Sequence, residues 1–183
     1  MKRMVLTAAL ILFVAAGLFA TDLQLGLGGG INYQGMFGMR QKTSLGTQMD
    51  VTSNDFGLYI FFDATYVQLD VIYFYGFTEY DYINTSVTED VKGSTFEMAL
   101  LGKYPFALEK FTIFPLLGIG YQFKYSYGGL GFFGGIGADF PLTDRLYLRS
   151  ELLYGIRLGS GSTWKTTKIG HTPRVKIGIG FNL

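Results

Sequence analysis

The sequence has no cysteine and one histidine. Without cysteine there is no disulfide, no thiolate nucleophile, no zinc–cysteine site and no residue to carry a bacterial lipoprotein anchor. With His171 alone, histidine-based metal or acid–base chemistry has almost no material to work with. Charge is scarce as well. Charged residues make up 16% of the chain, against about 25% in typical soluble domains. The 15 Lys and Arg nearly cancel the 14 Asp and Glu, so there is no electrostatic means of holding nucleic acid. Two residue classes are in excess. Glycine stands at 26 of 183 residues, about twice the usual share, and aromatics reach 17%, far too many for a disordered chain. The length suits one domain and not two independent cores.

The first twenty residues join a cationic start at Lys2 and Arg3 to an apolar run from Met4 to Phe19, then Ala20 before Thr21 and Asp22. This pattern predicts a secretory signal peptide over 1–20. The apolar run is short for a retained spanning helix, which needs about 17–25 residues. Cleavage after Gly17 is the alternative to cleavage after Ala20. The mature part, 21–183, then forms one domain.

No later segment carries an apolar stripe at helical spacing for more than two turns; the period is two. Val175, Ile177, Ile179, Phe181 and Leu183 alternate with Lys176, Gly178, Gly180 and Asn182. Leu117, Ile119, Tyr121, Phe123 and Tyr125 face away from Gly118, Gly120, Gln122 and Lys124. Such segments predict eight antiparallel strands at about 23–34, 55–63, 66–76, 94–104, 112–126, 132–140, 145–158 and 173–183. The second, DFGLYIFFD, is apolar on both faces, so its phase is not readable. Long connections at 35–54, 77–93 and 159–172 alternate with short ones, as in an up-and-down meander whose ends face different compartments. The connection near 126–131 is the short exception.

The choice of environment follows from the two faces. One is unbroken, large and aromatic; the other is glycine, amide and a few charges. An interior filled with the large set would be overcrowded, so the large side chains are expected to face lipid and the glycines to leave room in a narrow lumen. Tyr73, Tyr75, Phe96, Tyr121, Phe123 and Tyr125 fall toward the long connections. Tyr66, Tyr104, Phe111, Phe140 and Phe181 fall toward the short ones, giving two interfacial girdles.

With its signal peptide, its eight alternating segments, the stretch LRSELLYGIRL at 148–158 and the closing VKIGIGFNL at 175–183, the chain resembles the small outer-membrane barrels of the OmpA, OmpX and OmpW type. The resemblance covers essentially the whole mature chain and is one of pattern. It implies an all-β, eight-stranded antiparallel transmembrane barrel in a bacterial outer membrane, with outer-membrane lipid around it. Barrel-insertion machinery and periplasmic chaperones would be its partners in assembly. In that class the final residue is usually aromatic and forms part of the assembly signal; here Phe181 and Leu183 share one face.

By phase, the inward charged set is Asp70, Glu97, Lys103, Lys124, Asp139, Arg149, Glu151, Arg157, Arg174 and Lys176. Both signs share one lumen, so these side chains are expected to pair across it. Neither Glu97 nor Glu151 has a dedicated catalytic partner in sequence. Resemblance to lipid A-modifying barrels would call for a His-x-Ser arrangement, but Thr172 and Pro173 follow His171, which reads as a solvated loop residue. Gly129 to Gly134 matches GxGxxG by letter, but a strand pattern follows where a dinucleotide site needs a helix. Glu79, Asp81, Glu89 and Asp90 read as a solvated acidic loop, with no EF-hand spacing.

The function expected is therefore non-enzymatic: a structural or surface-interaction protein acting through its extracellular loops, with a closed, ion-paired lumen. No cofactor, metal or nucleic acid is called for, an extracellular or host ligand is left unidentified, and the chain is expected to be a monomer. The alternative is a narrow channel or conduit for small apolar solutes, as the OmpW type implies. A lipid-modifying barrel enzyme is third.

Overall fold

The computed structural model describes residues 24–43, 46–83, 87–123, 128–160 and 164–183. The expected signal peptide at 1–20 and its cleavage site, Leu23, Lys124 and Tyr125 lie outside them.

Eight long strands build a closed ring: β1 (Leu25–Thr43), β2 (Gln48–Ala64), β3 (Val67–Tyr82), β4 (Val87–Lys103), β6 (Thr112–Phe123), β7 (Gly128–Pro141), β8 (Leu146–Ser160) and β10 (Gly170–Asn182). Two short pieces complete the set. β5 (Phe106–Ala107) pairs with β6, and β9 (Trp164–Lys168) continues the line of β10 beyond Ile169 and pairs with β1. All neighbours are antiparallel, and β1 closes the ring on β10 from Gly26↔Asn182 to Phe37↔His171. Closure removes the sheet edges that a bilayer cannot tolerate.

The strand count agrees with the sequence reading; the strand lengths do not. The segments 35–54, 77–93 and 159–172, expected as long connections, are largely strand. The reason is physical. Beyond the bilayer both faces of a strand meet water or a local core, so the apolar alternation that marks a strand at membrane depth disappears. In β1 the alternation is also broken by a bulge. Pairing runs from Met36↔Ser53 to Met39↔Val51, three residues against two, with Gly38 at φ +75°. Glycine adopts that left-handed conformation without a Cβ clash. The shift leaves Met36 and Met39 both inward and Phe37 outward.

The outward set is large and apolar all round, including Ile31, Leu58, Tyr73, Ile119, Leu152 and Ile177. The inward set corrects the expectation that the lumen holds only small and polar residues. Tyr59, Phe61, Phe74, Phe114, Phe133 and Tyr147 are buried inside. Glycine makes room for them by a different arrangement from the one expected. A Cβ on Gly155 would lie 2.5 Å from the Phe133 ring and one on Gly180 would lie 2.1 Å from the Tyr147 ring, so each bare strand position receives an aromatic face.

Candidate functional site

The lumen brings the charges of six strands together in three groups. Nearest the short turns, Asp63 on β2 accepts from Lys103 on β4 at 2.6 Å and from Arg149 on β8 at 2.7 Å. Arg149 also grips Asp139 on β7 with two nitrogens, at 2.7 and 2.6 Å, and donates to Gln68 at 2.9 Å. In the middle, Lys176 on β10 lies 2.5 Å from Asp70 on β3 and pairs with Glu151 on β8, its direct partner in register. The Gln68 amide donates to both carboxylates at 2.8 Å, tying this group to the first. Toward the long hairpins, Glu97 on β4 takes Arg174 at 2.8 and 3.0 Å and Arg157 at 2.7 Å. Gln34 and Gln122 accept from the same two guanidiniums.

Nine of the ten charged residues expected in the lumen are described, and all nine point inward. Eight are nearly or fully buried, and the Asp139 side chain is 19% exposed where it meets Arg149 at the rim. Their mutual pairing crosses the barrel as well as neighbouring strands. The guanidiniums also lie on the lumen rings: the Arg149 Cζ is 4.5 Å from the Phe61 centroid and the Arg174 Cζ is 4.4 Å from that of Phe133. Cation–π contact adds to the pairing.

The sequence reading missed Asp63 and Asp55, both buried, because the phase of β2 looked ambiguous. A signal was present. Asp55 and Asp63 have the same parity, and two carboxylates do not face hydrocarbon, so the odd-numbered positions of β2 had to be inward. That choice also places Tyr59 and Phe61 in the lumen. The amides Gln34, Gln68 and Gln122 were missed as the acceptors and donors that complete the charge groups.

His171 is not in a loop. It lies in β10 on the outer face, where Tyr154 Oη and Nδ1 are 2.6 Å apart and the imidazole stacks on Phe37 at 5.6 Å. The bulge at Gly38 and the extension of β9 carry the barrel wall past this residue. Glu79, Asp81, Glu89 and Asp90 are likewise in the β3–β4 hairpin strands, all exposed. Gly129 to Gly134 lies within β7, with no helix after it.

The described girdle aromatics group as expected. Tyr121, Phe123 and Phe96 contact one another with centroid separations of 4.8 and 6.1 Å. At the opposite end Tyr66 meets Tyr104 at 5.9 Å and Phe111 meets Phe140 at 5.5 Å. A model of the outer membrane protein beta-barrel domain matches residues 6–181. The chain belongs to that family. Its place is the bacterial outer membrane, and by the family's orientation the short turns are periplasmic and the long hairpins extracellular.

Solved barrels of this general fold include Neisserial surface protein A, at 12% identity and a TM-score of 0.43, covering 86% of this chain and 96% of that one. The attachment invasion locus protein Ail of Yersinia pestis, solved with the heparin analogue sucrose octasulfate, gives 13% identity, a TM-score of 0.43 and coverage of 89% and 100%. The outer membrane protease OmpT of Escherichia coli gives 8% identity, a TM-score of 0.39 and coverage of 90% and 98%. No curated protein matches.

Above the outer girdle, β1 to β4 continue as a wall of paired strands as far as Lys42↔Gln48 and Tyr82↔Val87. Its inner face has a core of its own: Met36, Met39, Met49 and Val51, with Tyr80 and Tyr82 packed against them. Its outer face brings Asp50 opposite Asp81 and Glu79 opposite Asp90. Arg40 forks onto Asp50 at 2.7 and 2.9 Å, and this guanidinium holds the Asp50 carboxyl below its usual range. Among the described residues, β4 from Val87 to Thr95 pairs with β3 alone, since pairing with β6 begins at Phe96↔Phe123.

Proposed function

We propose that this protein is a non-enzymatic surface protein of the outer membrane, acting through the extracellular sheet of β1 to β4 above a lumen closed by paired charges. The observation that carries the reading is the extracellular wall itself. A loop that only joined two strands would not need nine further residues of β4 paired to β3, nor an apolar core beneath them. The wall is therefore a built surface, with carboxylates outward and, among the described residues, an edge of β4 from Val87 to Thr95 that pairs with β3 alone and suits addition of a partner strand. Glu97 and Glu151 are both held by cations, an arrangement that suits a filled interior and not a carboxylate kept ready for proton transfer.

The test replaces residues 79–90 with Asn-Gly, which joins Thr78 to Val91 in their existing register through a two-residue hairpin turn. Cells displaying the shortened protein are compared with cells displaying the full chain on a serum-coated surface. Adhesion is expected to fall to the level of cells lacking the protein, while the barrel still folds in detergent. Equal adhesion by both forms would overturn the surface reading.

A further inference from the structure

The periplasmic turns are not alike. β2 passes to β3 through Thr65 and Tyr66, and β7 to β8 through residues 142–145. The β4–β6 connection, residues 104–111, is longer and folded on itself: β5 pairs with β6 at Phe106↔Ile113, and Leu108 N donates to Phe111 O at 2.9 Å. It also leans across the mouth of the barrel. Leu108 and Lys110 line the same cavity as Gly26 on β1 and Asn182 on β10, although β1 and β10 stand across the ring from β6 and β4. The cavity measures about 210 Å³, whereas one water takes about 30 Å³ of the liquid.

Its deep end has polar atoms that the protein leaves unsatisfied. Asp63 Oδ2 accepts from Lys103 and Arg149, but Asp63 Oδ1 and Tyr147 Oη have no hydrogen-bond partner among the described residues. Both side chains line the cavity, and they are 9% and 5% exposed. They flank one bare backbone position: a Cβ on Gly26 would lie 2.9 Å from Tyr147 Oη and 3.3 Å from Asp63 Cβ. Buried polar atoms left unpaired are costly. A molecule that fills the cavity therefore gains by giving a donor to the carboxylate and an acceptor to the phenol.

The charges around the cavity select against an ion. Asp63 and Asp139 are matched by Lys103 and Arg149, and Glu109 is followed by Lys110 at the rim. An ammonium at Asp63 Oδ1 would meet two cations already held by that carboxylate, and an anion would meet the carboxylate itself. A hydroxyl avoids both, since it donates and accepts without charge. The rim repeats this demand with the amide side chains of Gln24 and Asn182, while Phe111 and Pro141 give the cavity an apolar side. Convergent polar groups against an apolar wall are the ordinary form of a small-molecule site. We infer that the periplasmic mouth binds one uncharged pyranose ring, whose hydroxyls donate to Asp63 Oδ1 and accept from Tyr147 Oη while its C–H face lies toward Phe111.

This site is at the opposite end of the barrel from the extracellular wall, so it and the surface reading can fail separately. The test refolds the full chain in a detergent without a sugar head group and titrates methyl β-glucoside, following backbone amide shifts by NMR. Saturable shifts are expected at Gly26 and in residues 104–111, with none from Val87 to Thr95. Gluconate and protonated glucosamine, which carry charge, should shift the same amides at least about tenfold less at equal concentration. Tyr147→Phe keeps the ring and should fold, with the glucoside Kd raised about tenfold, as for one lost hydrogen bond. A β-linked tetrasaccharide is expected to bind no better than the monosaccharide, which assigns the site to a free sugar. Markedly tighter binding of the tetrasaccharide would overturn the one-ring site. Absence of saturable shifts with the glucoside, or an unchanged Kd in Tyr147→Phe, would overturn the inference altogether.

Discussion

Glu97 is one carboxylate holding two arginines inside a membrane barrel, at 2.7 and 2.8 Å. At such a site the net worth of the pair is small compared with the cost of removing one partner, because the remaining charge stays buried without compensation. Glu97→Ala is therefore expected to destabilise the folded barrel by about 3–5 kcal/mol, measured by urea unfolding from lipid vesicles. A substitution on the opposite face tests a different force. Ile119 is 44% exposed on the outer wall, and Ile119→Arg at mid-membrane depth should cost about 2–4 kcal/mol. A Cβ on Gly93 meets nothing within 4 Å, so Gly93→Ser, beyond the outer girdle, serves as the tolerant control. If Ile119→Arg were as mild as Gly93→Ser, the outer wall would not be facing lipid.

At the scale of strands, the sequence was most legible where the bilayer imposes a strict contrast between faces. The alternation in β8 and β10 reads inward and outward residues correctly from Tyr147 to Leu158 and from Val175 to Phe181, with Arg149, Glu151 and Lys176 on the buried side. It was least legible where the solvent on both sides is water, as in the acidic β3–β4 extension, or where inward positions are themselves aromatic, as at Tyr59 and Phe61. Pairing across the lumen, such as Arg149 with Asp63 or Arg174 with Glu97, depends on barrel curvature and cannot be read from any one strand. The closing strand offers a direct test of this scale. Asn182 N donates to Arg145 O at 2.8 Å and Leu183 N donates to Leu25 O at 2.9 Å, so the final residues fasten the seam between β8, β10 and β1. Phe181 and Leu183 also share the outer face. Deleting residues 181–183 removes both the seam bonds and the apolar end, and should convert membrane-inserted protein to periplasmic aggregate, followed by fractionation and heat-modifiability. Normal insertion of the truncated chain would show that the C-terminal residues have no part in assembly.

For the whole molecule, the question that separates a plug from a pathway is whether charge can move along the lumen. An eight-stranded barrel encloses a space just wide enough for side chains to fill. Here three charge groups follow one another along that space, with Phe61, Phe114, Phe133 and Tyr147 packed between them. Five cations and five carboxylates are shared among those groups. An ion moving through must displace paired charges in a low-dielectric setting, where each separated pair costs several kcal/mol. The unmodified protein is therefore expected to give no sustained conductance in planar bilayers. Glu151 sits at the centre of this arrangement, bonded to Lys176 and Gln68. Glu151→Ala leaves Lys176 with Asp70 alone and opens space beside Arg149, so intermittent leak or a lowered unfolding midpoint should follow. Lys176→Met in the same background should lower the stability further, because it leaves the buried Asp70 carboxylate without its cation. Steady, ion-selective conductance from the unmodified chain would replace the plug by a channel.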